Sequence, residues 1–276
     1  MHSKLSLSTQ AKSGRTILQN NFASPPLKLM SLPYEPDGIL RVVQMSSSPG
    51  LLGGDSIDIE IKLSPHTALS LYTQSFTRIL EMDEGKQARQ HTQISQQAGS
   101  SLCYLPHPLV LHKGSTLVQT TEIELDDDCD LIYGEILASG RIRNGESFKF
   151  NRFSSHLVIR HGKRKLVTDN IQWQPASQHP SALGQMEGYT HQLNLFYVNT
   201  AHSSLDMRSK VDRLYNRISS NHPSESILWG VSQADDSVLC LRVLADNAYS
   251  LQEILKTAAT LLHPTQSSPL SAAFFK

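Results

Sequence analysis

Apolar and polar residues alternate in short runs from about residue 5 to residue 171. The clearest run is Ile57–Leu63, in which four apolar residues are separated by three charged ones. Because successive side chains of a strand point to opposite faces, this period of two predicts strands with one buried face. Comparable runs are Leu69–Tyr72, Leu102–Leu105, Leu117–Glu124, Leu131–Ile136 and His156–Arg160. Many short strands separated by turn-forming residues predict a mainly β body.

The pattern changes to a helical period near Ser204. Four apolar residues then recur at spacings of four, three and four, which places them on one helix face: Met207, Val211, Leu214 and Ile218. A second helical pattern runs from Tyr249 to His263, where Ser250 and Glu253 form a capping-box motif and Pro264 is a stop signal. We therefore expect one domain over residues 1–276, with a β body over about 4–200, helices within about 201–263 and a tail over 264–276.

The amino-acid composition excludes some classes of binding partner. The 25 basic and 25 acidic residues cancel, whereas proteins that bind nucleic acid or anionic membranes concentrate positive charge. Three distant cysteines make neither a disulfide framework nor a Cys-x-x-Cys metal pair. No run of about 18 apolar residues and no signal-peptide core occurs in the chain. These observations predict a cytoplasmic protein that binds neither nucleic acid nor membrane.

Motifs that resemble catalytic or cofactor sites are incomplete. The glycine-rich stretch 50–56 lacks the lysine of a phosphate-binding loop and precedes a strand, so it predicts a sharp turn with Asp55 at the strand entrance. His107 and His112 are five residues apart, which on an extended chain puts them on opposite faces. The acidic stretch Asp126–Asp130 lacks the spacing of a calcium loop and predicts a solvated turn. No nucleophile motif is present, so we expect no catalytic residue and no tightly bound cofactor.

Charged residues fall within an otherwise apolar segment at positions 134–152. Glu135, Arg141 and Glu146 lie there among strand residues and glycines. Burying an ionised group costs on the order of several kcal/mol unless a partner or hydrogen bonds offset the penalty. Two interpretations stay open, namely an internal Arg–Glu brace and a hydrated passage.

Six segments, taken in order, resemble the UreD/UreH family of urease accessory proteins. They are NNFASPPLKLMSLPY, SSPGLLGGD, TQSFTRIL, LPHPLVLHKGS, GEILASGRIRNGESFKFNR and GYTHQLNLFYVN, spread between about Lys4 and Asn199. The Gly-Gly-Asp turn and the GR-x-x-x-GE-x-F-x-F segment are the most specific. The resemblance implies a single-domain body of β-helical or spiral strand topology with two α-helices in the C-terminal third. It also implies a scaffold without catalytic turnover.

The resemblance also implies which proteins bind this chain. Proteins of this type bind a UreF-like accessory protein and, through it, a UreG-like GTPase. The assembly, expected to be dimeric, docks on apo-urease so that nickel can enter the buried active site. The absence of a phosphate-binding loop from this chain is consistent with such an assembly, because GTP would be bound and hydrolysed by the GTPase.

The same resemblance implies an internal passage that conducts nickel transiently. Carried over by motif, the candidate metal residues are Asp55, Glu135 and Glu146. The candidate lining residues are Thr77, Arg78 and Arg141. Arg78 stands where many relatives have lysine. Oxygen ligands bind nickel loosely compared with imidazole or thiolate, which suits an ion that must leave again.

Three questions stay open at this stage. Phe274 and Phe275 in the tail are a candidate partner-binding segment, or they pack on their own domain. One alternative function is a β-helical carbohydrate-active enzyme with Asp55 and Glu135 as acid and base. The other is a β-rich interaction module with no metal role, in which the same carboxylates form a structural brace.

Overall fold

The computed structural model describes residues 1–201, 204–221 and 227–263. The strands in this part of the chain are β1 (His2–Lys12), β2 (Arg15–Ala23), β3 (Leu27–Ser31), β4 (Leu40–Ser46), β5 (Ser56–Leu63), β6 (Ala68–Thr73), β7 (Thr77–Ile79), β8 (Ala88–Gln96), β9 (Ser101–Leu105), β10 (Leu109–Leu111), β11 (Thr116–Leu125), β12 (Asp130–Ala138), β13 (Arg152–His161), β14 (Arg164–Trp173), β15 (His191–Asn199), β16 (Ile227–Asp235) and β17 (Val238–Ala245). The α-helices are α1 (Ser204–Asn221) and α2 (Ala248–Leu262).

The strands form two facing sheets. A seven-stranded sheet has the order β14-β13-β11-β8-β5-β1-β2. A ten-stranded sheet has the order β16-β17-β15-β12-β9-β6-β4-β3, and in it β10 also pairs with β12, and β7 with β10. From β4 to β13 the chain passes back and forth between the sheets, and neighbouring strands within each sheet are parallel. This winding confirms the predicted mainly β, single-domain body with spiral strand topology.

Branched apolar side chains stack between the sheets. One row runs in register across five parallel strands of the seven-stranded sheet: Leu7, Ile61, Ile94, Ile123 and Ile159. None of the five is more than 2% exposed. The alternation seen in the sequence thus produces a continuous apolar core, because each strand contributes its inward-facing positions to the same row.

Both helices pack on the outer face of the ten-stranded sheet, where they build a second core. The predicted apolar face of α1 is confirmed, since Met207, Leu214 and Ile218 are fully buried. A Cβ atom on Gly134 of β12 would lie 2.8 Å from Leu255 Cδ1, so glycine lets α2 approach the sheet closely. Among the described residues no helix is long and apolar enough to cross a membrane.

The structure differs from the sequence expectations in two places near the helices. The hairpin of β16 and β17 lies between α1 and α2, in the region for which the sequence predicted only helices. The capping residue of α2 is Asn247, whose side chain accepts a hydrogen bond from the backbone N–H of Ser250 at 2.9 Å. The predicted Ser250–Glu253 capping box was therefore wrong, because the helix begins earlier than the motif implied.

We expect Asn247→Ala to lower the free energy of unfolding by about 1 kcal/mol, since it leaves the first N–H groups of α2 without their acceptor. Chemical denaturation monitored by circular dichroism measures this change. Asn216→Ala, at an exposed position within α1, is the matched control. Equal stability of the two variants would contradict the assigned cap.

Candidate functional site

One layer of inward-facing side chains is polar, next to the apolar core. On the ten-stranded sheet it runs through Glu135, Asn194 and Arg242, which are register partners on β12, β15 and β17. On the facing sheet Gln90 and Gln119 are register partners on β8 and β11. These glutamines lie four residues before the isoleucines of the apolar row on the same strands. A band of hydrogen-bonding groups therefore crosses the interior of the sandwich.

Glu135 is the carboxylate within this polar layer. It accepts hydrogen bonds from Gln119 Nε2 and from the Tyr133 hydroxyl. Burial raises the pKa of Glu135, and the two hydrogen bonds oppose the rise only in part. Within the described residues Glu135 has no cationic partner. A partly buried carboxylate without a cationic partner gains more from a nearby cation than an exposed one does, so this position favours a proton or a metal ion.

Two adjoining cavities, both partly open to solvent, follow the polar layer. Glu135 lines a cavity of about 40 Å³. A neighbouring cavity of about 70 Å³ shares four lining residues with the first: Gln44, Thr73, Thr77 and Gln90. Such volumes hold a few water molecules or an ion. They do not hold a sugar ring, because ligand pockets are usually about 300–1,000 Å³. The geometry around Glu135 thus opposes the carbohydrate-enzyme alternative.

His107, for which the sequence suggested no metal pairing with His112, is a buried histidine with a hydrogen-bond partner. It lines the same cavity as Glu135 and is only 8% exposed. Its Nδ1 lies 3.3 Å from Thr73 Oγ1, and its backbone N–H donates to the same hydroxyl at 2.7 Å. The sequence contains only an indirect sign of this position. Polar residues occupy inward positions on β8 and β11, and His107 lies beside them in the fold.

Asp55 lies in the Gly-Gly-Asp turn, at the entrance of β5 as predicted. Gly54 adopts a φ of +91°, which confirms the sharp turn. The Asp55 carboxylate accepts hydrogen bonds from the Met1 ammonium at 2.7 Å and from the Leu52 N–H at 2.9 Å. Burial by itself would raise the pKa of Asp55, but these hydrogen bonds outweigh it and the pKa lies below its usual value. Both carboxylate oxygens are therefore engaged, and Asp55 does not line either cavity.

Glu146 and Arg141 form an ion pair on the loop between β12 and β13. Arg141 Nε donates to Glu146 Oε2 at 2.8 Å, and Arg141 Nη2 donates to the other oxygen. The pair lowers the pKa of Glu146. The Arg–Glu brace considered from the sequence thus exists, but it lies near the surface rather than inside and does not include Glu135.

Thr77 and Arg78 lie where the cavity at Glu135 adjoins spaces that are open to solvent. Thr77 lines both cavities, whereas Arg78 lines the second cavity and an open cleft that also contains Arg141. The structure therefore brings Thr77, Arg78, Glu135 and Arg141 to three adjoining spaces. Their assignment to a nickel passage stays a prediction, as does that of Asp55 and Glu146. Phe274 and Phe275 lie outside the described residues.

The described residues contain no cluster of three His, Cys, Asp or Glu side chains that could hold a metal ion together. Residues 126–129 form the turn between β11 and β12, as predicted, and Asp130 begins β12. Any ion at Glu135 would therefore have few strong ligands and would exchange readily.

Comparisons with known proteins match this chain over almost its full length. The family described as "UreD urease accessory protein" matches residues 1–272. A protein named "Urease accessory protein UreD" from Actinobacillus pleuropneumoniae serotype 5b is 47% identical over 266 residues, which is 95% of this chain and 97% of the relative. A protein of the same name from Haemophilus influenzae is 45% identical over 271 residues, which is 95% of this chain and 99% of the relative.

Proposed function

Because the chain belongs to the UreD family of urease accessory proteins, we propose that it is a scaffold that helps deliver nickel to apo-urease. Its role in urease maturation is accessory rather than catalytic. In the proposed assembly it binds a UreF-like protein and, through it, a UreG-like GTPase. This dimeric assembly docks on apo-urease in the cytoplasm.

The polar layer around Glu135 is the observation that carries the nickel proposal. A core that served stability alone would fill these inward positions with apolar side chains, as the neighbouring isoleucine row does. Glutamine and threonine side chains instead line both adjoining cavities, and Glu135 lines the first of them. Oxygen groups can replace part of the hydration shell of a divalent cation without holding it tightly. In this account nickel is cargo that moves past Glu135 rather than a resident cofactor.

The three candidate carboxylates differ in how readily they could meet such an ion. Asp55 is engaged by the Met1 ammonium, and Glu146 by the Arg141 guanidinium. Glu135 has only neutral hydrogen-bond donors. We therefore assign the direct contact with nickel to Glu135. Asp55 and Glu146 would shape the turn and the loop at the borders of the passage, unless the ion displaces their partners.

Co-expression of the urease subunits and accessory proteins, with and without this chain, tests the proposal. We expect urease purified without the chain to be assembled, poor in nickel and inactive, and urease made with it to be active. Urea hydrolysis and metal analysis by mass spectrometry provide the measurements. Fully active urease without the chain would overturn the proposal, and restored activity at unchanged nickel content would favour an interaction module with no metal role.

A further inference from the structure

The described residues form an open cleft of about 690 Å³. It lies between the loop that follows β12 and the first turn of α2. We call it the arginine cleft, after its lining residues Arg78, Arg141 and Arg143. Its shape depends on Gly140, at which a Cβ atom would lie only 1.9 Å from the carbonyl oxygen of Glu146.

Arginines outnumber carboxylates in the lining of the arginine cleft by three to one. Arg141 is neutralised by Glu146, but within the described residues neither Arg78 nor Arg143 forms an ion pair with a carboxylate. Asp246 is the acidic residue in the lining. The N-terminus of α2 adds the partial positive charge of its first turn. The electrostatic potential of the cleft therefore favours an anionic ligand.

The walls of the cleft are apolar and aromatic, which a site for a small inorganic anion would not need. Leu80, Val110 and Ile142 line it. Phe76 and Tyr249 lie at its border and are 39% and 66% exposed. Exposed aromatic side chains next to arginines are typical of the residues that contribute most to protein–protein interfaces. The volume fits several side chains rather than one ion.

The arginine cleft is also continuous with the interior. Pro49, Phe76 and Arg78 line both the cleft and the 70 Å³ cavity, which in turn adjoins the cavity at Glu135. A protein bound in the cleft would thus cover one end of the polar layer. An ion passing between this protein and that partner would then avoid bulk solvent.

We propose that the arginine cleft binds an acidic segment of a partner protein, with at least one large apolar side chain inserted between Phe76 and Tyr249. The identity of the partner as a component of urease maturation rests on the proposed function. The carboxylates of the segment pair with Arg78 and Arg143, and the apolar side chain fills the cleft. Charge sets the orientation and the rate of association, and the apolar contact slows dissociation.

Charge reversal in the full-length chain tests this interface. The double variant Arg78→Glu with Arg143→Glu is co-expressed with the urease subunits and the other urease accessory proteins, and proteins retained by a tag on this chain are quantified. We expect recovery of one of these proteins to fall about tenfold or more. Arg78→Lys with Arg143→Lys keeps the charge and should retain most of the binding. Arg152→Glu with Lys165→Glu, exposed on β13 and β14, is the matched control and should bind normally.

A contact map completes the test. A photo-crosslinking amino acid at Tyr249 is expected to form an adduct with an acidic segment of the lost partner, identified by mass spectrometry. Undiminished binding by the charge-reversed variant, or an adduct that maps only to basic segments, would overturn the inference. Normal binding with lost urease activation would place Arg78 in the passage rather than at an interface. Activation that does not require the chain at all would instead remove the proposed function.

Discussion

Glu135→Gln is expected to abolish most urease activation while leaving the chain folded, and at neutral pH at least as stable as before. The substitution removes the buried charge but keeps the shape and the hydrogen-bonding capacity of the side chain. A cation about 4 Å from a carboxylate is stabilised by on the order of 4 kcal/mol at an effective dielectric constant of 20. Because about 1.4 kcal/mol corresponds to tenfold in rate, we expect activation to fall by at least about tenfold.

The stability part of this prediction follows from the raised pKa of Glu135. A carboxyl whose pKa is higher in the folded than in the unfolded state favours folding below its ordinary value of 4.5, where both states are protonated. That contribution is lost as the pH rises through the folded-state pKa, because ionisation is then easier in the unfolded chain. The amide of Glu135→Gln cannot ionise, so its advantage over wild type should grow above pH 4.5.

Thermal unfolding at several pH values and urea hydrolysis in cells measure the two effects separately. Glu122→Gln makes the same chemical change on the exposed face of β11 and should alter neither. A Glu135→Gln chain that is strongly destabilised would identify Glu135 as a structural brace. Full urease activation by a stably folded variant would remove Glu135 from the passage.

Gly140→Ala is expected to deform the arginine cleft and to lower the free energy of unfolding by about 1–3 kcal/mol. The added Cβ would meet the backbone of Glu146 rather than a flexible side chain, so the loop itself must move. This movement separates Arg141 from Glu146 and displaces Arg143. We expect weaker partner binding in addition to the loss of stability.

Denaturant unfolding and tag-based recovery of partner proteins measure these two consequences. Gly188→Ala is the control, because nothing lies within 4 Å of a Cβ atom at that position and its φ is not positive. A Gly140→Ala chain with wild-type stability and binding would show that the loop tolerates rearrangement.

The sequence predicted the β body well because alternation and burial are directly related in a strand. The run Ile57–Leu63 became β5, and Met207, Leu214 and Ile218 became the buried face of α1. The spiral topology followed from the resemblance rather than from periodicity. The hairpin of β16 and β17 was missed because β16 mixes small and polar residues at the exposed positions of a sheet edge.

The site was less accessible to sequence reasoning because it depends on strand register. Gln119 and Glu135 are 16 residues apart and meet only because β11 and β12 lie in opposite sheets. Arg141 and Glu146 are five residues apart, so their pairing was one of the two alternatives visible in the segment. The position of His107 also depends on the fold, because no local sequence pattern predicts that it lines the cavity at Glu135.

The most direct test of the account is the nickel content of urease purified from cells that express the Glu135→Gln chain. Metal analysis should be made on urease whose complex with this chain and the accessory proteins has been confirmed by co-purification. We expect normal complex formation and urease that is strongly depleted in nickel relative to wild type and to the Glu122→Gln control. A full complement of nickel in that urease would contradict a passage through the polar layer.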